Sequence, residues 1–112
     1  AILLENGEII SGSNQENAAY PSGLCAERTT IFWIGANFPD VKIKKLFVIG
    51  APREALTSVP IPPCGACRQS ILEYEAKQLD PIEIYFASLD GAIYKTKSVR
   101  DLLPFSFDSS YL

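Results

Sequence analysis

The 112-residue sequence has no histidine and no methionine, and only three cysteines and one tryptophan. Without imidazole, no fourth soft ligand is available to close a tetrahedral metal site around the three thiols. The chain opens on the apolar run Ala1-Ile2-Leu3-Leu4 rather than on methionine, and reads as one missing its natural start. The absence of a targeting signal therefore carries no weight. No run of about 18 apolar residues occurs, which excludes a membrane-spanning helix. The ten basic residues are scattered and the net charge is −3, with pI near 4.9. A nucleic-acid binder would show a basic face with interleaved aromatics, and none is visible. The small cluster Lys42, Lys44 and Lys45 reads as a solvated turn. An odd cysteine count, with two of the three only three residues apart, argues against a secreted disulfide scaffold. It fits a reducing, cytoplasmic setting and a metal or redox role.

What is present describes one domain over residues 1–112, since 47% hydrophobic and 21% charged residues suffice for an ordinary core without disulfides. Asn6-Gly7 between residues 1–4 and 8–11 predicts a hairpin with a two-residue turn. Residues 12–24, rich in Gly, Ser, Asn and Pro, read as a loop that wraps a site. Ala26, Thr30, Ile31 and Ile34 recur at helical spacing from Cys25 to about Asn37. Lys45–Gly50 reads as a short buried strand, followed by a loop with Pro52, Pro60, Pro62 and Pro63. A second helix is predicted from Cys64 to about Lys77. Strands follow at 82–87 and 92–96 around an Asp90-Gly91 turn, then a short helix at 99–103. The order ββαβαββ predicts a mixed sheet with both helices packed against it.

The chemistry concentrates in Cys25-Ala26-Glu27 and Pro63-Cys64-Gly65-Ala66-Cys67. Cys64 and Cys67, at i and i+3, share one side of a helix. In a first turn their thiols meet free N–H groups and the positive end of the helix dipole, which favours thiolate. Cys25 and Glu27 would diverge in mid-helix, so both address one point only at a helix N-terminus. Structural zinc sites close four positions with protein, whereas catalytic sites keep one open. Three thiolates overneutralise Zn²⁺, and Arg28 is the nearest cation in sequence to donate to the sulfurs. Cys-Gly-Ala-Cys alone also suits a thiol-redox or structural zinc module. Cys-x-Glu combined with Pro-Cys-x-x-Cys matches the zinc deaminase signature, with Glu27 as its proton shuttle.

The chain resembles the small homotetrameric cytidine deaminases in Gly12-Ser13-Asn14-Gln15-Glu16-Asn17-Ala18-Ala19-Tyr20, Cys25-Ala26-Glu27-Arg28-Thr29 and Pro63-Cys64-Gly65-Ala66-Cys67-Arg68-Gln69. Leu102-Leu103-Pro104 and Phe107 extend the likeness to the C-terminus. The resemblance implies an α/β/α three-layer sandwich on a mixed five-stranded sheet and hydrolytic deamination of cytidine or deoxycytidine. It implies one Zn²⁺ per subunit on Cys25, Cys64 and Cys67, with Glu27 moving protons. Asn14 and Glu16 are expected to hold ribose hydroxyls and the Ala26 backbone to contact the base. Phe107 is expected to stack on the base from a neighbouring subunit of a tetramer. Family members begin with a helix and a fuller first strand, carrying a pocket phenylalanine, which this sequence is expected to lack. Close alternatives are a deaminase of another aminonucleoside, such as a nucleoside antibiotic, and a polynucleotide-editing deaminase. The latter should carry a basic strand channel, and net −3 with Asn14 and Glu16 favours a free nucleoside.

Overall fold

A computed structural model describes residues 1–52 and 58–112. Strands β1 (Ile2–Leu4) and β2 (Ile9–Ile10), helix α1 (Ala26–Asn37), strand β3 (Ile43–Ile49), helix α2 (Gly65–Gln78) and strands β4 (Glu83–Ala87) and β5 (Ile93–Thr96) follow one another along the chain. They form one sheet in the order β2-β1-β3-β4-β5. β3 and β4 are parallel, joined by the crossover through α2, and the other pairs are antiparallel. This is the mixed five-stranded sheet and element order that the hydrophobic pattern predicts. Residues 53–57, inside the proline-rich loop, lie outside the described residues.

The first hairpin turns differently from expectation. Leu4 accepts from Gly7 N at 3.1 Å, its own N–H donates to Glu8, and only Gly7 has positive φ, at +90°. The connection is thus a three-residue loop, a tight turn followed by a left-handed glycine, rather than a two-residue turn with both centres left-handed. Asn6 contributes by accepting from Glu8 N through Oδ1 at 3.0 Å. The lysine cluster also departs from a solvated turn. Lys44 and Lys45 lie within β3, Lys42 pairs with Asp80, and Lys45 and Lys95 flank Glu83 at 3.4 and 2.7 Å.

One apolar cluster holds the layers together. Ile2 and Leu4 from β1, Ile31 and Ile34 from α1, Leu46 from β3, Ile71 and Leu72 from α2, and Ile84 from β4 are almost fully buried in it. Both helices therefore pack on one face of the sheet. The opposite face carries Leu3, Phe47 and Tyr85, with Lys45 and Lys95 against the Tyr85 ring. At Gly35 a Cβ would lie 2.5 Å from the Tyr74 hydroxyl, so glycine lets α2 approach α1 closely.

Polar side chains fix the ends of α2. Gln78 bonds both the N–H and the C=O of Ile43 at 2.9 Å, tying the helix end to the start of β3. Glu75, 6% exposed, accepts from Ile82 N at 2.8 Å, Val99 N at 3.1 Å and Ser98 Oγ at 2.5 Å. It thereby anchors the entry to β4 and a 3-10 turn at Val99–Leu102, where a short helix is expected. Removing the carboxylate strands two buried N–H donors, each costing about 1–3 kcal/mol. Glu75→Ala should lower unfolding free energy by roughly 3 kcal/mol, seen as a drop in urea midpoint with an unchanged slope, and Glu75→Gln by less.

Candidate metal centre

Each long helix begins immediately after a cysteine. Cys25 is the N-cap of α1 (φ −66°, ψ 154°) and Cys64 that of α2 (φ −66°, ψ 166°). Pro62 and Pro63 precede the second of these, where extended backbone before a helix suits proline. Arg68 reinforces the geometry, donating Nε to Pro63 O at 2.7 Å and Nη1 to Leu102 O at 3.1 Å. Neither N-cap receives a side-chain oxygen cap. The thiols occupy the position that serine or aspartate usually fills.

The three sulfurs converge. Cys25 Sγ lies 3.8 Å from Cys64 Sγ, Cys64 Sγ lies 3.5 Å from Cys67 Sγ, and all three fall within 4.8 Å of one another. Zinc–sulfur bonds of about 2.3 Å span tetrahedral edges of about 3.8 Å, so the residues fit that ion. Among the described residues this is the one cluster of three or more cysteine, aspartate or glutamate side chains with metal-binding proximity. Cys67 is buried, Cys25 half-buried and Cys64 exposed, which leaves the cluster open to solvent on one side.

The surrounding charges suit a cation at the centre. Burial pushes the Cys67 thiol up, helped by its bond with Cys64 and by the negative charges of Glu27 and Cys25. A dication among the sulfurs reverses those repulsions. Burial also acts upward on Cys64, but the N–H groups of Cys67 and Ala66 and the neighbouring thiols outweigh it, and its pKa falls below the ordinary thiol value. Arg28 extends Nη2 to within 4.0 Å of Cys25 Sγ. Bonding to Cys25, against burial and with help from Cys67, holds its guanidinium above the usual arginine value. Its Nε is buried and has no hydrogen-bond partner among the described residues.

Glu27, in the first turn of α1, lines a cavity of about 260 Å³ with Ala26, Thr30, Gly12, Phe47 and Val48. Three larger cavities, of about 360, 490 and 750 Å³, are lined by neither Glu27 nor any of the cysteines. Asn14 accepts from Ala26 N through Oδ1 at 2.9 Å, and Ala26 O accepts from Thr30 Oγ1 at 2.7 Å. The N–H of Ala26, whose backbone is expected to contact the base, is thus held by a side chain. Glu16 is exposed in the same loop, two residues beyond Asn14. Phe107 is 58% exposed, stacks on Tyr111 at 5.6 Å, and accepts from Gln69 Nε2 at 2.9 Å through its carbonyl. It does not line the cavity. Sequence reading missed Gly12 and Thr30: a Cβ on Gly12 would meet Thr30 Oγ1 at 2.3 Å. The signal available was the threonine four residues after Ala26, at the spacing that returns a hydroxyl to the helix carbonyl.

Residues 1–80 match the family described as the cytidine and deoxycytidylate deaminase zinc-binding region. The chain is 37% identical over 109 residues to a cytidine deaminase of Halalkalibacterium halodurans, covering 96% of this chain and 74% of that one. It is 38% identical over 112 residues to a cytidine deaminase of Sporosarcina psychrophila, covering 100% and 75% respectively. The crystal structure of a cytidine deaminase from Burkholderia pseudomallei superposes with a TM-score of 0.78 at 33% identity, covering 96% of this chain and 78% of that one.

Because thiols must lose protons to bind metal, zinc retention should fall as pH falls from about 8 to about 5, and zinc uptake should release protons. Metal analysis after gel filtration, with a pH indicator during reconstitution, checks both. Cys64→Ala should retain no stoichiometric zinc; full occupancy in that variant would remove Cys64 from the ligand set.

Proposed function

The chain belongs to the cytidine and deoxycytidylate deaminase family, and on that premise we propose that it converts cytidine or deoxycytidine and water to the uridine nucleoside and ammonia. The observation that carries the reading is the meeting of three cysteine sulfurs at two helix N-termini, with Glu27 one position into the first turn beyond Ala26. Cys25, Cys64 and Cys67 hold Zn²⁺ in this reading. When bound, the ion acidifies water and supplies the nucleophile at neutral pH.

Glu27 then moves the protons. Its carboxylate takes one from the attacking water and delivers it to N3 of the base. Once C4 is tetrahedral, the same carboxylate takes the proton of the new C4 hydroxyl and carries it to the departing amine. The bond from C4 to the amine nitrogen breaks, and ammonia leaves. Arg28 withdraws charge from the sulfurs, offsetting the excess of three thiolates over one dication. Ala26 lines the cavity, while Glu16 and the amide hydrogens of Asn14 suit nucleoside hydroxyls.

Large apolar side chains stand on the surface. Phe105, Phe107, Tyr111 and Leu112 in the C-terminal tail, and Ile93 and Tyr94 on β5, are all more than half exposed. Such density favours a homo-oligomer, the tetramer of the resemblance, in which Phe107 reaches a neighbour's base. Free thiols as ligands suit the reducing cytoplasm.

Following ultraviolet absorbance with cytidine, deoxycytidine and CMP, with and without chelator, tests the reading. The two nucleosides should turn over and CMP should not, and chelation should abolish the rate. General acid–base assistance is worth about 10²–10⁴-fold, so Glu27→Gln should lose at least about 10²-fold in kcat while keeping its zinc. Near-normal turnover in that variant would sink the assignment.

A further inference from the structure

Neither of the two helix termini that bear the thiols is capped by its own N-cap side chain. At α2 the side chain of the N-cap residue Cys64 gives no cap. At α1 the side chain of Cys25 gives no cap. The first N–H of that helix, at Ala26, instead donates to Asn14 Oδ1 at 2.9 Å, twelve residues away in sequence. Directly beside this bond, Gln15 and Leu24 pair through two backbone hydrogen bonds of 2.8 and 3.0 Å. Leu24 is the residue before Cys25. The segments 14–15 and 24–26 are thus clamped by three hydrogen bonds around the start of α1.

We propose that Asn14 is a positioning residue that sets the first turn of α1, and through it the placement of Cys25 and Glu27, besides any contact it makes with the nucleoside. The inference deepens the proposed deaminase reading and rests on it for its kinetic part. One amide side chain has two ends with different partners. Its carbonyl oxygen holds the helix terminus between a metal ligand and the proton-moving carboxylate, and its two amide hydrogens have no partner among the described residues. A nucleoside that engages those hydrogens joins the same side chain that fixes the reacting groups. Loss of the carbonyl leaves the Ala26 N–H without its cap and the helix start free to shift. Displacements of about 1 Å at a reacting group can cost about 10²-fold in rate.

Two variants separate the ends of the side chain. Asn14→Asp keeps an acceptor for Ala26 N–H and loses the amide hydrogens, whereas Asn14→Ala loses both. Both are prepared with zinc, for metal content and kinetics, and with Co²⁺, whose visible spectrum reports ligand geometry without turnover. The expected result for Asn14→Ala is an altered Co²⁺ spectrum and a kcat lowered about 10- to 100-fold, with metal still stoichiometric. Asn14→Asp should keep the parent spectrum and raise KM more than it lowers kcat. A parent-like spectrum and kcat in Asn14→Ala, with only KM raised, would overturn the positioning role and leave a substrate contact alone. If Asn14→Ala is misfolded by circular dichroism, a changed spectrum in well-folded Asn14→Asp overturns it, and an unchanged one with raised KM supports it. Should the parent protein fail to deaminate any nucleoside, the spectra still decide the positioning role, so that outcome strikes the functional reading separately.

Discussion

Everything at the site depends on holding three sulfurs in mutual contact in a chain with no histidine. Three thiolates within 4.8 Å repel one another strongly unless positive charge surrounds them. The fold supplies that charge from three directions. Two helices begin at the cluster, each presenting the positive end of its dipole, and Arg28 lies against Cys25. What remains to be neutralised is close to what one dication carries. Metal affinity and helix direction are therefore one problem: reversing either helix would bring carbonyl oxygens to the sulfurs.

That arrangement sets demands on parts of the molecule far from sulfur. The termini of α1 and α2 meet only if the helices keep their places on the sheet. Their shared core of Ile31, Ile34, Ile71 and Leu72 against Leu46 and Ile84 supplies most of that constraint without direction. Direction comes from polar groups. Gln78 and Glu75 pin the C-terminal half of α2 to β3 and β4, while Arg68 pins the loop that leads into its start. Gly35 lets the helices approach closely enough for the pinning to act at both. A buried carboxylate such as Glu75 is therefore as much a condition of the metal geometry as a ligand is, although it touches no ligand.

The parts of this legible in sequence are those governed by short-range rules. Helix starts at Cys25 and Cys64 follow from proline, glycine and the i, i+3 pair, and the strands follow from runs such as Leu46–Ile49. Glu75 was illegible because its partners, Ile82, Ser98 and Val99, lie 7 to 24 residues away and donate mostly through backbone. The first hairpin misled for a different reason. Asn-Gly supports more than one turn, and the choice depends on how β1 pairs with both β2 and β3, where its register shifts between Leu3 and Leu4. The lysines near position 44 were read by charge alone, and their acidic partners Asp80 and Glu83 come from beyond α2.

Asn14 shows how a residue can be legible in type and not in action. An amide near a nucleoside site is easily read as a substrate contact, since it donates and accepts with good direction. Only the fold reveals that its oxygen is already committed to Ala26. The reason traces back to the metal. Cys25 stands where a capping side chain belongs, and its sulfur is committed to the cluster and to Arg28. A helix whose own N-cap is spent on a metal needs a cap from elsewhere, and the neighbouring loop is the element adjacent to it. Cys64 likewise gives its helix no side-chain cap. It is at the terminus carrying Glu27 that the loop takes over, through the Asn14 oxygen on the Ala26 N–H.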